Sequence, residues 1–358
     1  MRVHVDAAGN LRGLWEPHES TRDRLVIGSH LDTVPNAGAF DGILGVVIAL
    51  EWVRIAQETG LNNPIEAIGF SEEEGVRYGV PFLGSRAVAG CFDAELLRLV
   101  DIEGSSLEEA IRRFGLDPSQ IKRATIDTRA RAFVEVHIEQ GPVLDAAALS
   151  LAAVTGIVGQ TRGSLVFAGR ANHAGTTPMH LRKDALAAAC EWTSSVEDVA
   201  LRTEGLVATV GRIVTEPNAT NVIPGTVTVS LDCRHADDST RISAVDKLLA
   251  RAKISATQRG VRMHWTEQMN QPAVLMDPQI TALMAEAIRE AGFPEIKMTS
   301  GAGHDAMIMA SRVPATMLFL RSPEGISHDP AEAVYLEDIE ASLLVARRFL
   351  ERFAANVG

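Results

Sequence analysis

The chain reads as an α/β protein in which a discontinuous α/β domain is interrupted by an inserted α+β domain. Three observations predict this. In the first and last parts of the chain, short apolar runs ending in glycine or a polar cluster alternate with helical stretches, as in an open sheet whose strand ends carry the site. Between them the pattern changes to strand, helix, strand, strand, helix, strand, the order of a ferredoxin-like sheet with two helices. At 358 residues the chain also exceeds what one hydrophobic core usually holds, so two domains are expected. The change of pattern assigns residues 1–158 and 271–358 to one domain and 159–270 to the other.

Taken in order, Leu25 to Gly28 is a short apolar strand, followed by a polar loop and then ILGVVIALEWVRIAQETG, a buried helix stopped near Gly60. Ile65 to Phe70 repeats the strand signal and runs straight into Ser71, Glu72, Glu73, Glu74 and Gly75. Residues from about Cys91 to Thr128 read as mostly helical, with Ser106 and Glu109 forming a capping box ahead of IRRFG. Ala132 to Ile138 alternates as a strand and carries His137. The insertion supplies the strand SLVFAG, a helix over Lys183 to Ala200, the strands LVATVGRIV and TVTVSLDCRH, a helix over Ser239 to Arg259, and the strand VRMHWTE. The chain then returns to α/β with a helix over Pro278 to Ala291, the glycine-rich SGAGHDA, the strand ATMLFL and a final helix from about Leu336 to Ala354.

Composition excludes several classes of partner. With 34 basic residues against 46 acidic ones, the net charge of −12 leaves no electrostatic footprint for nucleic acid or an anionic membrane, so an anionic substrate must be captured by local groups. Cys91, Cys190 and Cys233 are far apart, odd in number and lack any CxxC pairing, which fits a reducing compartment; the cytoplasm is expected. The opening MRVHVDAAGN has no basic region followed by an apolar one, and no run approaches the roughly 18 apolar residues of a membrane span. Neither secretion nor membrane insertion is expected.

Five side chains of metal-ligand type stand beside glycine or at the end of an apolar run: His30 and Asp41 in GSHLDTVPNAGAFDG, Glu74 in FSEEEG, His137 in VEVHIEQG and His328 in GISHDP. Imidazole and carboxylate without thiolate suit zinc, manganese, cobalt or nickel, and a carboxylate can bridge two ions about 3.5–4 Å apart. Asp41, eleven residues after His30 across a Gly/Pro/Asn loop, is the natural bridge. That gives two sets, His30, Asp41 and His137 for one ion and Asp41, Glu74 and His328 for the other. Three protein ligands per ion leave a position for water, the catalytic rather than the structural arrangement.

Taken singly, each piece also fits a structural role: His137 as a satisfied core residue, the Glu72 to Glu74 run as a solvated turn, His328 before Asp329 and Pro330 as a turn residue. Asp32 is placed to accept the other N–H of His30 and fix its tautomer, or to make an Asx turn before Thr33. Glu73, beside a ligand but facing elsewhere, is the candidate general base that moves a proton from the attacking water to a leaving nitrogen. Three consecutive glutamates leave that assignment open by one position. Gly301 and Gly303 in SGAGHDA permit close backbone approach to a ligand, or equally a tight turn ahead of a helix.

Together the strings GSHLDTVPNAGAFDG, FSEEEGVRYGVPFLGSR, HIEQGPVLD, GRANHAGTTPM, PNATNVIPG, SGAGHDA and GISHDPAE resemble the di-zinc aminoacylase and carboxypeptidase superfamily, and specifically its hydantoinase/carbamoylase branch. That branch includes N-carbamoyl-L-amino acid hydrolases, β-ureidopropionases and allantoate amidohydrolases. The resemblance implies a phosphorylase/hydrolase-like di-metal catalytic domain with an inserted lid and dimerisation domain, and two divalent ions per subunit, zinc or else manganese, cobalt or nickel. It implies Glu73 as base and Glu74 as ligand. His137 is the branch-specific detail, since the wider superfamily commonly has a carboxylate there, and it points away from peptidases.

The same resemblance implies that Arg234 in SLDCRH grips the substrate carboxylate, for which a bidentate guanidinium is apt. It implies Asn221 and Gln140 as polar substrate contacts, and His173 as the lid histidine that stabilises the tetrahedral oxyanion, donated in this family across a homodimer interface. The expected reaction is hydrolysis of a linear C–N amide in a ureido or carbamoyl group on a small carboxylic acid, with the lid closing over the site. FSEEEGVRYGVPFLGSR looks closer to the allantoate amidohydrolases, so allantoate is the expected substrate, with N-carbamoyl-L-amino acids or β-ureidopropionate next. A metal-dependent aminopeptidase or deacylase is the more distant alternative. The resemblance also implies some tens of helical residues ahead of the segment VDAAGNLRG, which here follows closely on Met1.

Overall fold

Four adjacent parallel strands, Ile65–Phe70, Arg24–His30, Ala130–Ile138 and Ala315–Leu320, run side by side in that order. They are seen in a computed structural model that describes residues 1–17 and 23–357. Each strand is a near-continuous buried run, as expected for parallel strands covered on both faces. The hairpin Arg2–Val5 and Leu11–Trp15 extends the sheet antiparallel on one side, and Leu151–Ile157 pairs antiparallel with Ala315–Leu320 on the other. Lys297–Ser300 joins Leu151–Ile157 in parallel. These strands belong to a unit made of Met1–Ile157 and Leu275–Gly358, and Val158–Val274 forms a second unit.

Alternate strand residues, among them Leu25, Ile27, Val134, Val136, Leu318 and Leu320, share one hydrophobic core with the helices Ile43–Thr59, Pro278–Glu290 and Leu336–Val357. Trp52 is wholly buried there, its ring centroid 5.5 Å from that of Phe349. The first helix lies close to the sheet because Gly45 lacks a side chain: a Cβ would fall 2.0 Å from the Val136 carbonyl oxygen. The hairpin is tied on by buried charges. Arg12 donates to Glu66 Oε1 at 2.7 Å and to the Ala124 carbonyl at 2.6 Å, while Arg24 lies 3.2 Å from Glu66 Oε2 and 2.9 Å from Asp127 Oδ1.

The segment from Cys91 to Thr128 is less helical than expected. Leu107–Arg113 does begin with the Ser106/Glu109 capping box, but Ala94–Arg98 and Pro118–Ala124 are 3₁₀ turns. Stretches this short nucleate an α-helix poorly without a reciprocal capping box such as Leu107–Arg113 has, and the tighter 3₁₀ turn takes its place.

In the second unit, Ile213–Glu216, Thr226–His235, Gly159–Ala168 and Arg262–Gln271 form an antiparallel sheet in that order, with Val207–Thr209 also on Thr226–His235. Counting the two short strands as one, the order is fourth, first, third, second, the ferredoxin-like arrangement. Helices Ala185–Leu201 and Asp238–Gln258 pack on it around Phe167, Trp192, Leu231 and Leu248. LVATVGRIV, expected as one strand, is interrupted around Gly211, where a residue without a side chain weakens a strand interior.

Candidate metal centre

All four parallel strands end at one edge of their sheet, and each delivers a candidate side chain there, as open parallel sheets place their sites. His30 closes Arg24–His30, and Asp41 ends the loop before Ile43–Thr59. Glu73 and Glu74 follow Phe70, His137 is the penultimate residue of Ala130–Ile138, and His328 follows Ala315–Leu320. Gly42 makes room: a Cβ there would stand 2.4 Å from the His30 ring.

The two buried imidazoles face each other through Nε2 at 3.2 Å. His30 Nδ1 lies 2.8 Å from the Asp32 carbonyl and His137 Nδ1 2.8 Å from the Ile138 carbonyl. A carbonyl only accepts, so Nδ1 donates in each ring and the two Nε2 atoms are left aimed at one point. Asp41 Oδ1 joins them, 3.1 Å from His137 Nε2 and 3.5 Å from His30 Nε2. On its other oxygen, Asp41 Oδ2 is 3.0 Å from His328 Nε2, which is 3.6 Å from Glu74 Oε1. Asp41 Oδ1 and Glu74 Oε1 are buried without a hydrogen-bond donor. Converging lone pairs and undonated carboxylate oxygens are what a cation requires, so His30, Asp41 and His137, and Asp41, Glu74 and His328, fit one divalent ion each. Two further sets of ligating atoms, His30/Glu73/Glu74 and Glu135/His137/His304, overlap these.

The electrostatics favour positive charge at the same point. Burial opposes charge on His30, yet Asp41, Glu73 and Asp305 together push it well above its ordinary value. Burial likewise opposes ionisation of Asp41, but His137 and His30 hold its carboxyl well below the usual range. Glu73, 6% exposed, is pushed well above the carboxylate range by burial, with His30 opposing. Glu74 is raised by burial and then by Asp41.

Asp32 does something other than the expected capture of an imidazole. The His30 N–H is already satisfied by the Asp32 backbone carbonyl, which leaves the carboxylate for two backbone donors of the glutamate turn. Its Oδ1 accepts from Glu73 N–H at 3.0 Å and its Oδ2 from Glu74 N–H at 3.1 Å. The same turn is held at Ser71, whose N–H donates to the buried Asn10 Oδ1 at 3.0 Å. Gln140 lies beside the second set, its Nε2 3.1 Å from Asp41 Oδ2 and 3.4 Å from His328 Nε2. At Gly303 the close approach is made by Phe82, whose Cζ would stand 2.8 Å from a Cβ.

Of the groups on the second unit, the two-residue pairing of Asn172–His173 with Val222–Ile223 brings His173 and Asn221 together, and Ala174 N–H donates to the Asn221 carbonyl at 2.9 Å. His173 Nδ1 accepts from Gly175 N–H at 3.0 Å, which puts the neutral ring's proton on Nε2 as a donor. Arg234, on Thr226–His235, has one edge of its guanidinium held by Asp232, through Nε at 2.8 Å and Nη2 at 2.9 Å.

The sequence reading assigned no role to the buried groups Glu135, His304, Asp305 and Glu332. His304 packs edge-on against His137 with ring centroids 4.5 Å apart, and burial, then His137, push it well below its ordinary value. It and Asp305 lie in SGAGHDA, a string read for its glycines. Glu135 shares a strand with His137 two residues on, but an acid in an apolar run gives no sign of its partners.

Comparison with known proteins follows the same line. The family described as peptidase family M20/M25/M40 matches residues 26–352. An N-carbamoyl-L-amino acid amidohydrolase of Geobacillus stearothermophilus is 41% identical, over 94% of this chain and 83% of that protein. An allantoate amidohydrolase of Bacillus subtilis (strain 168) is 36% identical, over 99% and 87%. Among solved structures, a hydantoinase/carbamoylase family amidase from Burkholderia multivorans superposes with a TM-score of 0.91 at 34% identity, covering 98% of this chain and 86% of that one.

Proposed function

The chain belongs to peptidase family M20/M25/M40, and from that premise we propose that it hydrolyses the ureido group of a small ureido acid, allantoate first, with release of ammonia. It is a hydrolase of C–N bonds in linear amides other than peptides. The observation that carries the reading is the convergence of two ligand sets on Asp41 with the buried Glu73 alongside. Allantoate and the N-carbamoyl-L-amino acids share one fragment, a ureido group and a carboxylate on the same carbon, so one site chemistry serves both. The 41% identity to an N-carbamoyl-L-amino acid amidohydrolase makes those amino acids the second reading.

Two divalent ions, zinc or else manganese, cobalt or nickel, held by the two sets, supply Lewis-acid polarisation of the carbonyl and a more acidic attacking water when bound. Glu73 takes the proton of that water and returns it to the departing nitrogen. Asp32 fixes the backbone of Glu73 and Glu74, so the base and the ligand beside it keep separate directions. For the second unit the proposal rests on chemistry and resemblance: Arg234 carries a guanidinium of the kind that binds a carboxylate, Asn221 an amide, and His173 an Nε2–H for the oxyanion. Pairing of two copies through Val158–Val274 and residence in the cytoplasm complete the reading.

The test is ammonia release by metal-loaded protein from allantoate, N-carbamoyl-L-amino acids and N-carbamoyl-β-alanine, beside dipeptides and N-acetyl amino acids. Allantoate is expected to turn over fastest. Activity confined to N-carbamoyl amino acids selects the second reading, and turnover of dipeptides or N-acetyl amino acids alone sinks both.

A further inference from the structure

Glu332, four residues after His328, is an acid only 5% exposed. Three hydrogen bonds hold it. Its Oε1 accepts the backbone N–H groups of Phe40 and Asp41, each at 3.0 Å, and its Oε2 accepts the Ser327 hydroxyl at 3.0 Å. The fit around it is close, because a Cβ on Gly38 would fall 2.3 Å from Glu332 Cβ. One carboxylate thus joins two segments that stand 292 residues apart in the chain at Phe40 and Glu332.

Each segment carries a ligand candidate. Asp41 is the member common to both sets, and its own N–H is one of the donors Glu332 takes. His328 adjoins Ser327 and sits at φ +57°, a left-handed conformation that a non-glycine residue keeps only where its surroundings fix it. We infer that Glu332 is a positioning residue that sets the bridging Asp41 against the His328 loop and so couples the two ion sets. The inference rests on the two-ion reading above.

Metal-free protein titrated with cobalt(II), followed by visible absorption and bound stoichiometry, tests it in the wild type, Glu332→Ala and Glu332→Gln. Wild type is expected to bind two ions. Glu332→Ala removes every acceptor and is expected to bind roughly 10- to 100-fold more weakly, with an altered spectrum. Glu332→Gln keeps an amide oxygen for Phe40 and Asp41 and an NH₂ that can donate to Ser327 Oγ, so its binding is expected to stay close to wild type. Equal weakening in both variants means that negative charge and not positioning matters, which overturns the inference, as does unchanged binding by Glu332→Ala. Should the alanine variant fail to fold, Ser327→Ala carries the test: weaker binding of one ion of the two is expected, and unchanged binding of both overturns the coupling. Wild-type protein that binds no cobalt(II) sinks the two-ion reading and this inference with it, whereas two ions bound alike by wild type and Glu332→Ala sink the inference alone.

Discussion

Glu73 and Glu74 are neighbours in one turn for which we propose different tasks, base and ligand, and Asp32 holds the backbone of both. Glu73→Gln is therefore expected to lower kcat by roughly 100- to 10,000-fold while elemental analysis still finds two ions. Glu74→Gln is expected to lose one ion as well, and the reverse pattern would exchange the two roles. Asp305 offers a test by pH. It is wholly buried, and burial pushes its carboxyl up to about 7. A raised acid favours the folded state below its unfolded pKa near 4 and loses that advantage as pH rises towards 7. Asp305→Asn stays neutral throughout, so its melting temperature relative to wild type should climb between pH 4 and pH 7; a difference independent of pH would refute the assignment. At this scale the sequence was readable where chemistry and context coincide. His30, Asp41, Glu74, His137 and His328 follow strand ends or glycine loops, whereas Glu332 and Asp305 act through partners hundreds of residues away or through burial itself, neither of which spacing records.

The elements that hold the site show the same division. The strands Ile65–Phe70 and Ala315–Leu320 and the helix Ile43–Thr59 were legible because apolar runs and a terminal glycine mark them. The hairpin Arg2–Val5 and Leu11–Trp15 was not, since its first strand is only four residues long and exposed throughout, so the alternation of Arg2, Val3, His4 and Val5 marks no buried face. What fixes that hairpin is the buried set of Arg12, Glu66 and Arg24. Glu66→Ala leaves two guanidinium groups without their shared carboxylate, and removing one member of a buried ion pair costs about 3–5 kcal/mol. Chemical denaturation should show a loss of that order, and a loss under about 1 kcal/mol, the size of an exposed pair, would mean that the network is not a buried one. A carboxylate-gripping role for Arg234 comes from resemblance alone, because an arginine two residues after Asp232 on a strand has the spacing of an ordinary same-face ion pair, which is the contact it makes.

For the molecule as a whole, ions that bind only the folded form add to its stability by mass action, about 2.7 kcal/mol for each at 100 times its Kd. Chelation should abolish activity and lower the melting temperature, and added divalent ions should restore both; a melting curve that ignores the chelator would remove the two sets from the folding equilibrium. The two-unit organisation was visible in the change of strand and helix order along the chain, but strand neighbours were not, because no local pattern says which distant strand lies alongside. Ala315–Leu320 sits between Ala130–Ile138 and Leu151–Ile157 although it comes last of the three along the chain. On the ribosome, therefore, both of those strands keep an open edge until residue 320 has emerged, and all of Val158–Val274 is made in the interval. The smaller unit, continuous in sequence, is free to close first. His328 emerges later still, so the set Asp41, Glu74 and His328 is completed only after the sheet can close, and a nascent chain stalled before residue 320 exposes sheet edges suited to aggregation.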